Sequence, residues 1–191
     1  MLLARQITSA EEWTEAEEHL ESPDFPFEIL YEFADGRRGS LSVFEVSDRN
    51  DPILAQIAAA KLFRSNSANV KGAQFRFLET EIITGLGMTV KHTKGDLPNE
   101  DLNGRHYELG GLTGPIAIDL AKAMMPAPFN CTKEQVLKGI VQGLADGKLK
   151  FKELNKDMLA VIKNADGLDF VPSRIVTQTE RKGQKPKAES M

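Results

Sequence analysis

Apolar residues recur along this chain with two periods, and the switches between them mark the expected elements. Leu2 to Ile7 reads as a short strand. Ala10, Trp13, Ala16 or Glu17, and Leu20 then follow at helical spacing, so one stripe of that segment faces a core. Ser9 and Glu12 have the spacing of a capping box at its start. Glu11, Glu12 and Glu15 lie near the positive end of the helix dipole, which favours them. Pro23 and Pro26 stop the helix and set up an extended segment.

Phe27, Ile29, Tyr31 and Phe33 alternate with Glu28, Leu30 and Glu32, the period of a strand. The turn ADGRRG follows, and its Asp35-Gly36 pair tolerates positive φ. On the return strand, Leu41 and Val43 share one face and Phe44 and Val46 the other. These signals predict a hairpin of residues 27–33 with 41–46. Asp51-Pro52 opens a helix carrying Ile53, Leu54, Ile57, Ala58 and Leu62, ending near Arg64. Phe75 and Phe77 alternate around Arg76, Ile82 and Ile83 follow, and Met88 and Val90 form a short run after a Gly-Leu-Gly break; the pattern predicts a second hairpin or strand pair. Residues 94–104 (KGDLPNEDLNG) read as a long exposed loop, and His106 to Leu109 as one more strand.

The next part is helical by pattern. Gly114-Pro115 opens a helix through Met125, ended by Pro126 and Pro128. Thr132 and Gln135 form a second capping box, ahead of Val136, Leu137, Ile140, Val141 and Leu144. Asp146-Gly147 closes that helix. Phe151, Leu154, Met158 and Val161 line a final helix, packed antiparallel to the one before, and Leu168 to Val171 are extended. From Thr177 the chain carries no large apolar side chain before Met191. The expected fold is α+β: a small antiparallel sheet built from hairpins and packed against helices, with a helical C-terminal part and a disordered basic tail. The expected segments are 1–110, 111–172 on the same core, and 173–191 as a flexible tail.

Bulk composition narrows the class. The chain has 191 residues, 41% hydrophobic and 27% charged, which suits a soluble globular protein. Its net charge of -4 provides no general basic field for nucleic acid or anionic lipid. The charge is uneven: eight acidic side chains stand between Met1 and Leu30, and five basic ones between Ser173 and Met191. Cys131 is the only cysteine, so no intrachain disulfide forms, which fits a reducing compartment. The apolar start MLLA is broken by Arg5 and Gln6 before it makes a signal-peptide core, and no stretch is long enough to span a bilayer. The expected location is the cytoplasm, or a virus particle assembled there.

No motif for catalysis, a metal or a cofactor stands in the chain. His92, His106 and Cys131 are the first candidates, but they are scattered and lack the close ligand pairs of zinc sites. Cys131 precedes a helix N-terminus, where the dipole lowers a thiol pKa, but without a paired base in view the preferred reading is a small buried residue packed under the helix. The glycines of GGLTG lead into a helix start, where free backbone N–H groups attract anions. Arg105, His106, Gly110, Gly111 and Gly114 therefore form the candidate ligand site, although a tight turn needs the same glycines with no ligand. Gly139 and Gly143 lie beside the apolar face of the Thr132 helix, where they permit close approach of another helix. With Ile140 and Leu144 they are the candidate interface, within the chain or between copies. Arg181, Lys182, Lys185 and Lys187 are candidate phosphate contacts.

The leading expectation is a non-enzymatic interaction or assembly protein, acting through a protein partner or self-association, with the character of a small bacterial or bacteriophage accessory protein. One alternative is an enzyme-like domain with an anion or small-ligand pocket near 105–114. The other is a nucleic-acid accessory factor that uses the basic tail.

Overall fold

A computed structural model of the chain describes residues 1–7, 10–19, 33, 41–65, 69–150, 160 and 162. Its sheet is organised about β1 (Leu2–Ile7). This strand pairs antiparallel with β2 (Leu41–Val46) on one side and β3 (Ala73–Glu79) on the other. Beyond β2 come β5 (His106–Gly110) and then β4 (Thr89–His92). Beyond β3 comes β6 (Phe129–Cys131). The order is β4-β5-β2-β1-β3-β6, and each pairing is antiparallel.

The described helices are α1 (Ala10–Glu18), α2 (Ile53–Ser65), α3 (Thr80–Gly85), α4 (Glu100–Asn103), α5 (Gly114–Met124) and α6 (Lys133–Ala145). Two apolar clusters divide the core. In one, Ala4, Phe44, Val46, Phe75 and Phe77 of the sheet meet α2 and α6. In the other, Leu3, Ile7, Leu41, Val43, Leu78 and Leu109 meet α1 and α5. The protein is therefore a mixed α/β fold, an antiparallel sheet covered by helices on both faces. Side chains alternate across a strand, so a strand covered on both sides is apolar at odd and even positions alike. Strand β2 shows this directly: Leu41 and Val43 turn to α1 and α5, Phe44 and Val46 to α2 and α6.

Local chemistry opens α2, α5 and α6 and closes α6 as the sequence predicts. Asp51 Oδ1 accepts from the Ile53 N–H at 3.0 Å and sets the start of α2. Thr132 and Gln135 form a complete capping box on α6: Thr132 Oγ1 accepts from Gln135 N at 3.3 Å, and Gln135 Oε1 accepts from Thr132 N at 2.7 Å. Gly147 follows the end of α6 at φ +72°, which suits glycine. In α5, Ala117, Leu120, Ala121 and Met124 are buried at i, i+3, i+4 and i+7, the stripe of a helix lying on a sheet.

Strand pairing differs from expectation. Strand β2 lies between β1 and β5, so a partner from 27–33 finds no free edge beside it. Phe33, the one described residue of that segment, has helical backbone and packs edge-on to Trp13, with ring centroids 6.3 Å apart. Strands β3 and β4 do not pair either. Helix α3 follows β3 directly with Ile83 buried, and β4 joins β5 at the far end of the sheet. The 94–104 segment is not simply exposed. It contains α4, buries Leu97 and Leu102, and holds Asn103 against Leu97 N and O at 2.8 and 2.9 Å. The expected helical part after residue 110 also contributes β6 to the sheet, and its helices α5 and α6 lie on opposite faces. The Ser9 cap, the remainder of 27–33, the Asp35-Gly36 turn, the final helix apart from helical Ala160 and Ile162, the 168–171 stretch and the tail lie outside the described residues.

Helices α2 and α6 pack against each other on one face. A Cβ built on Gly139 falls 2.8 Å from the Ala55 carbonyl oxygen and 3.1 Å from Ala59 Cβ. The neighbour at the closer contact is helix backbone, which yields little. Replacing Gly139 with Leu is expected to destabilise the fold by at least about 2 kcal/mol through overpacking, against almost no change for Lys138→Ala on the exposed face. Urea denaturation of the two variants checks this; equal midpoints would contradict the close approach.

Candidate functional site

The residues singled out as a ligand site occupy two ends of one strand. Arg105 and His106 stand at the start of β5 and Gly110 at its end, about 13 Å away at the usual strand rise. The His106 ring is buried against Phe44, with centroids 5.3 Å apart, on the face that meets α2. Its Nδ1 lies 2.8 Å from Thr93 Oγ1. Gly110 pairs with Thr89. Gly111 has φ +85° and lies against Gly87, itself at φ +75°, so both serve a tight turn. Gly114 opens α5, on the opposite face from His106. The structure brings Gly110 and Gly111 together with Gly87, and keeps them away from Arg105 and His106.

The Arg105 guanidinium lies 3.9 Å from Asp51, whose Oδ2 also accepts from Ser47 N at 2.8 Å. Burial alone raises the Asp51 pKa, but the hydrogen bonds from Ser47 and Ile53 and the charge of Arg105 outweigh it and hold the carboxyl below its ordinary 3.8.

Cys131 sits in β6, buried beneath α6. Burial pushes its thiol up from the ordinary value, as suits a small buried residue packed under the helix rather than an activated thiol. His92 lies on β4, where its Nε2 is 2.8 Å from the Gly104 carbonyl oxygen and its ring meets Tyr107. Strands β4 and β6 are opposite ends of the sheet, roughly 24 Å apart at the usual strand spacing, so His92 and Cys131 share no centre. Among the described residues no group of three or more His, Cys, Asp or Glu is placed to hold a metal ion.

The interface candidates also have clear positions. Gly139 touches α2, Gly143 lies against the Leu149 side chain, and Ile140 and Leu144 are in the core. The tail residues Arg181, Lys182, Lys185 and Lys187 lie outside the described residues.

Arg76 appears in the sequence only as the polar position between Phe75 and Phe77. This side chain is 1% exposed and lies on the α1 face of β3. Its guanidinium stands 5.0 Å from the Trp13 ring, pairs with Glu17, and donates to the Met125 carbonyl oxygen; Nε donates to Gln74 Oε1 at 3.2 Å. Trp13 and Glu17 are four apart on α1, so one helix face presents both a ring and a carboxylate to the cation. That i, i+4 pair, opposite a lone arginine in an apolar strand, is the signal that was available. Beside it, Glu17 and residues 125–128 line a hollow of about 330 Å3, where Ala127 takes φ +50° and Arg49 donates to the Pro126 carbonyl oxygen at 3.0 Å. These contacts join α1, β3 and the end of α5.

Comparison of the chain with protein-family models, curated proteins and solved structures finds no match.

Two measurements test these polar contacts. Asp51→Ala is expected to cost about 1–2 kcal/mol at pH 7. A depressed folded-state pKa contributes stability above the unfolded value that is lost as pH falls through the folded one. The difference between wild type and Asp51→Ala in urea is therefore expected to shrink below the ordinary 3.8, and a constant difference would contradict the role of charge. Arg76→Met is expected to cost about 1–3 kcal/mol, less than a fully buried pair because the Glu17 side chain is 37% exposed. Arg76→Lys is expected to recover little, since an ammonium does not span Glu17, Met125 and Gln74 in one plane. The same denaturation assay checks both, and full recovery by lysine would reduce the contact to simple charge.

Proposed function

We propose that the chain is an interaction or assembly protein that works through protein–protein contacts, and that the outer edge of β4 is its contact. One observation carries this reading. Strand β4 ends the sheet, and among the described residues no strand pairs with its outer side. The Thr93 N–H donates to the His106 carbonyl oxygen at 3.1 Å. With His92 opposite Tyr107 and Lys91 opposite Glu108, the antiparallel alternation directs the N–H and C=O of Val90 and His92 away from β5. An extended segment of a partner meets a ready row of donors and acceptors there. Thr89, Lys91 and His92 are exposed beside that row, and the strand is only four residues long. A short edge carrying a lysine resists indiscriminate sheet stacking, which leaves room for a chosen partner.

Nothing in the described helices competes with this reading by suggesting a membrane role: none is long and apolar enough to cross a bilayer. Val90→Pro tests the proposal, because it removes an outward N–H while sparing the bonds to β5. The unaltered chain is expected to show a mass above that of one chain in light scattering, or to retain a protein partner. The variant is expected to lose at least about tenfold in that affinity, as removal of an edge bond and its alignment predicts, with an unchanged circular dichroism spectrum. A strict monomer with no partner, or association unaffected by the proline, would remove the reading.

A further inference from the structure

Asn103-Gly104 is the one Asn-Gly pair in the chain, and it falls at the end of α4, inside the segment that joins β4 to β5. Such a pair carries its own reaction. Glycine has no side chain to hinder its backbone nitrogen, so that nitrogen reaches the preceding side-chain amide carbon more readily than any other residue's does. The closed structure withholds this pair from reaction. Asn103 is 3% exposed; its Oδ1 accepts from Leu97 N at 2.8 Å, and its Nδ2 donates to the Leu97 carbonyl oxygen at 2.9 Å. Its backbone is helical, and its own carbonyl oxygen accepts from Gly95 N at 3.3 Å. Gly95 leaves no slack beside it, since a Cβ built there falls 2.7 Å from Asn103 Oδ1. Around the rim the hold is weaker. Asp96 pairs with Arg64, Glu100 with Lys94 and Asp101 with Lys148, and all three carboxylates are exposed, where such pairs contribute little. A segment held in this way opens locally at a lower free energy than the whole fold.

We propose that Asn103 deamidates spontaneously from this opened form and that the product does not close again, so the segment is a one-way latch. In the reaction the Gly104 nitrogen bonds to the Asn103 side-chain carbon. The bond from that carbon to Nδ2 breaks, and Nδ2 leaves as ammonia with the Gly104 amide hydrogen. Water then opens the resulting cyclic imide at either carbonyl and leaves aspartate or isoaspartate at position 103. Nothing is oxidised or reduced, and water is the sole co-reactant. Both products lose the lock. A carboxylate oxygen in place of Nδ2 meets the Leu97 carbonyl oxygen acceptor to acceptor, as a buried charge. Isoaspartate also lengthens the main chain by a methylene, which moves the Gly104 carbonyl oxygen from its place 2.8 Å from His92 Nε2. Leu97 and Leu102, which the closed segment places in the core, are released in either case.

The test incubates the full chain in neutral buffer at physiological temperature, beside a sample kept unfolded in urea, and locates deamidation by peptide mass spectrometry. The folded chain is expected to convert at Asn103, at least about tenfold more slowly than the unfolded one, because only the opened form reacts. Leu97→Ala is expected to speed conversion of the folded chain by at least about fivefold, by lowering the free energy of opening. Gly104→Ala is expected to slow it by at least about tenfold, since the added methyl hinders the attacking nitrogen. That methyl meets only the Asp101 carbonyl oxygen, at 3.7 Å, and φ there is -71°, so the variant keeps the fold. In the converted fraction of the aged chain, hydrogen exchange is expected to show protection of the Leu97 and Leu102 amides reduced by at least about tenfold. No conversion at Asn103 while the unfolded sample converts fully, or conversion as fast as in urea, would overturn the proposal. So would an unchanged rate in Leu97→Ala or Gly104→Ala, or a converted fraction as protected as the fresh chain. The urea and exchange comparisons are made on the unaltered sequence and do not depend on any variant folding.

Discussion

The whole architecture depends on β1 being paired along both edges. Leu2, Leu3 and Ala4 face Val46, Glu45 and Phe44 on one side and Glu79, Leu78 and Phe77 on the other. This double ladder joins strands that are otherwise far apart in the chain. It also sets the two faces. Ala4 lies under the α2 and α6 layer, and Leu3 and Ile7 under the α1 and α5 layer. A slip of one residue in either ladder would exchange these sets and strand apolar side chains on the wrong side. Burial of both faces makes that error expensive, and so specifies the register.

Polar groups inside this sandwich are tied to structural tasks. Arg76 would be intolerable on a covered sheet face without Glu17, the Met125 carbonyl oxygen and the Trp13 ring. Asp51 holds the start of α2 and Ser47 together. Asn103 makes an amide-to-backbone pair with Leu97, so the segment between β4 and β5 closes on itself and brings Leu97 and Leu102 into the core.

Local signals made much of the secondary structure legible. The boundaries of β1, the proline start of α2, the glycine-proline opening of α5 and the Thr132 box of α6 depend on neighbours within a few residues, and their chemistry can be read in order along the chain. Partner choice among the strands is a different matter. Residues 41–46 look like half of a hairpin with 27–33, but their true neighbours are β1 and β5, which no turn motif announces. The three residues of β6 are too few to show a period, and the apolar Ile82 and Ile83 fit a strand as well as the helical turn they form. For the site, Gly110, Gly111 and Gly114 were legible as turn chemistry. The meeting of Arg76 with its partners was not, because Trp13 and Glu17, Arg76 and Met125 come from three segments that only the tertiary fold assembles.

The central position of β1 has a consequence for how the molecule is made. Leu2 must find both Val46 and Glu79, so its second ladder cannot close until the chain has been synthesised well past β2. Until then an apolar strand waits with one side uncovered, and closing so wide a loop is entropically slow. Emergence from the ribosome, rather than finished stability, is thus the stage at which this fold is most exposed to wrong pairing, and the stage at which a chaperone would matter most.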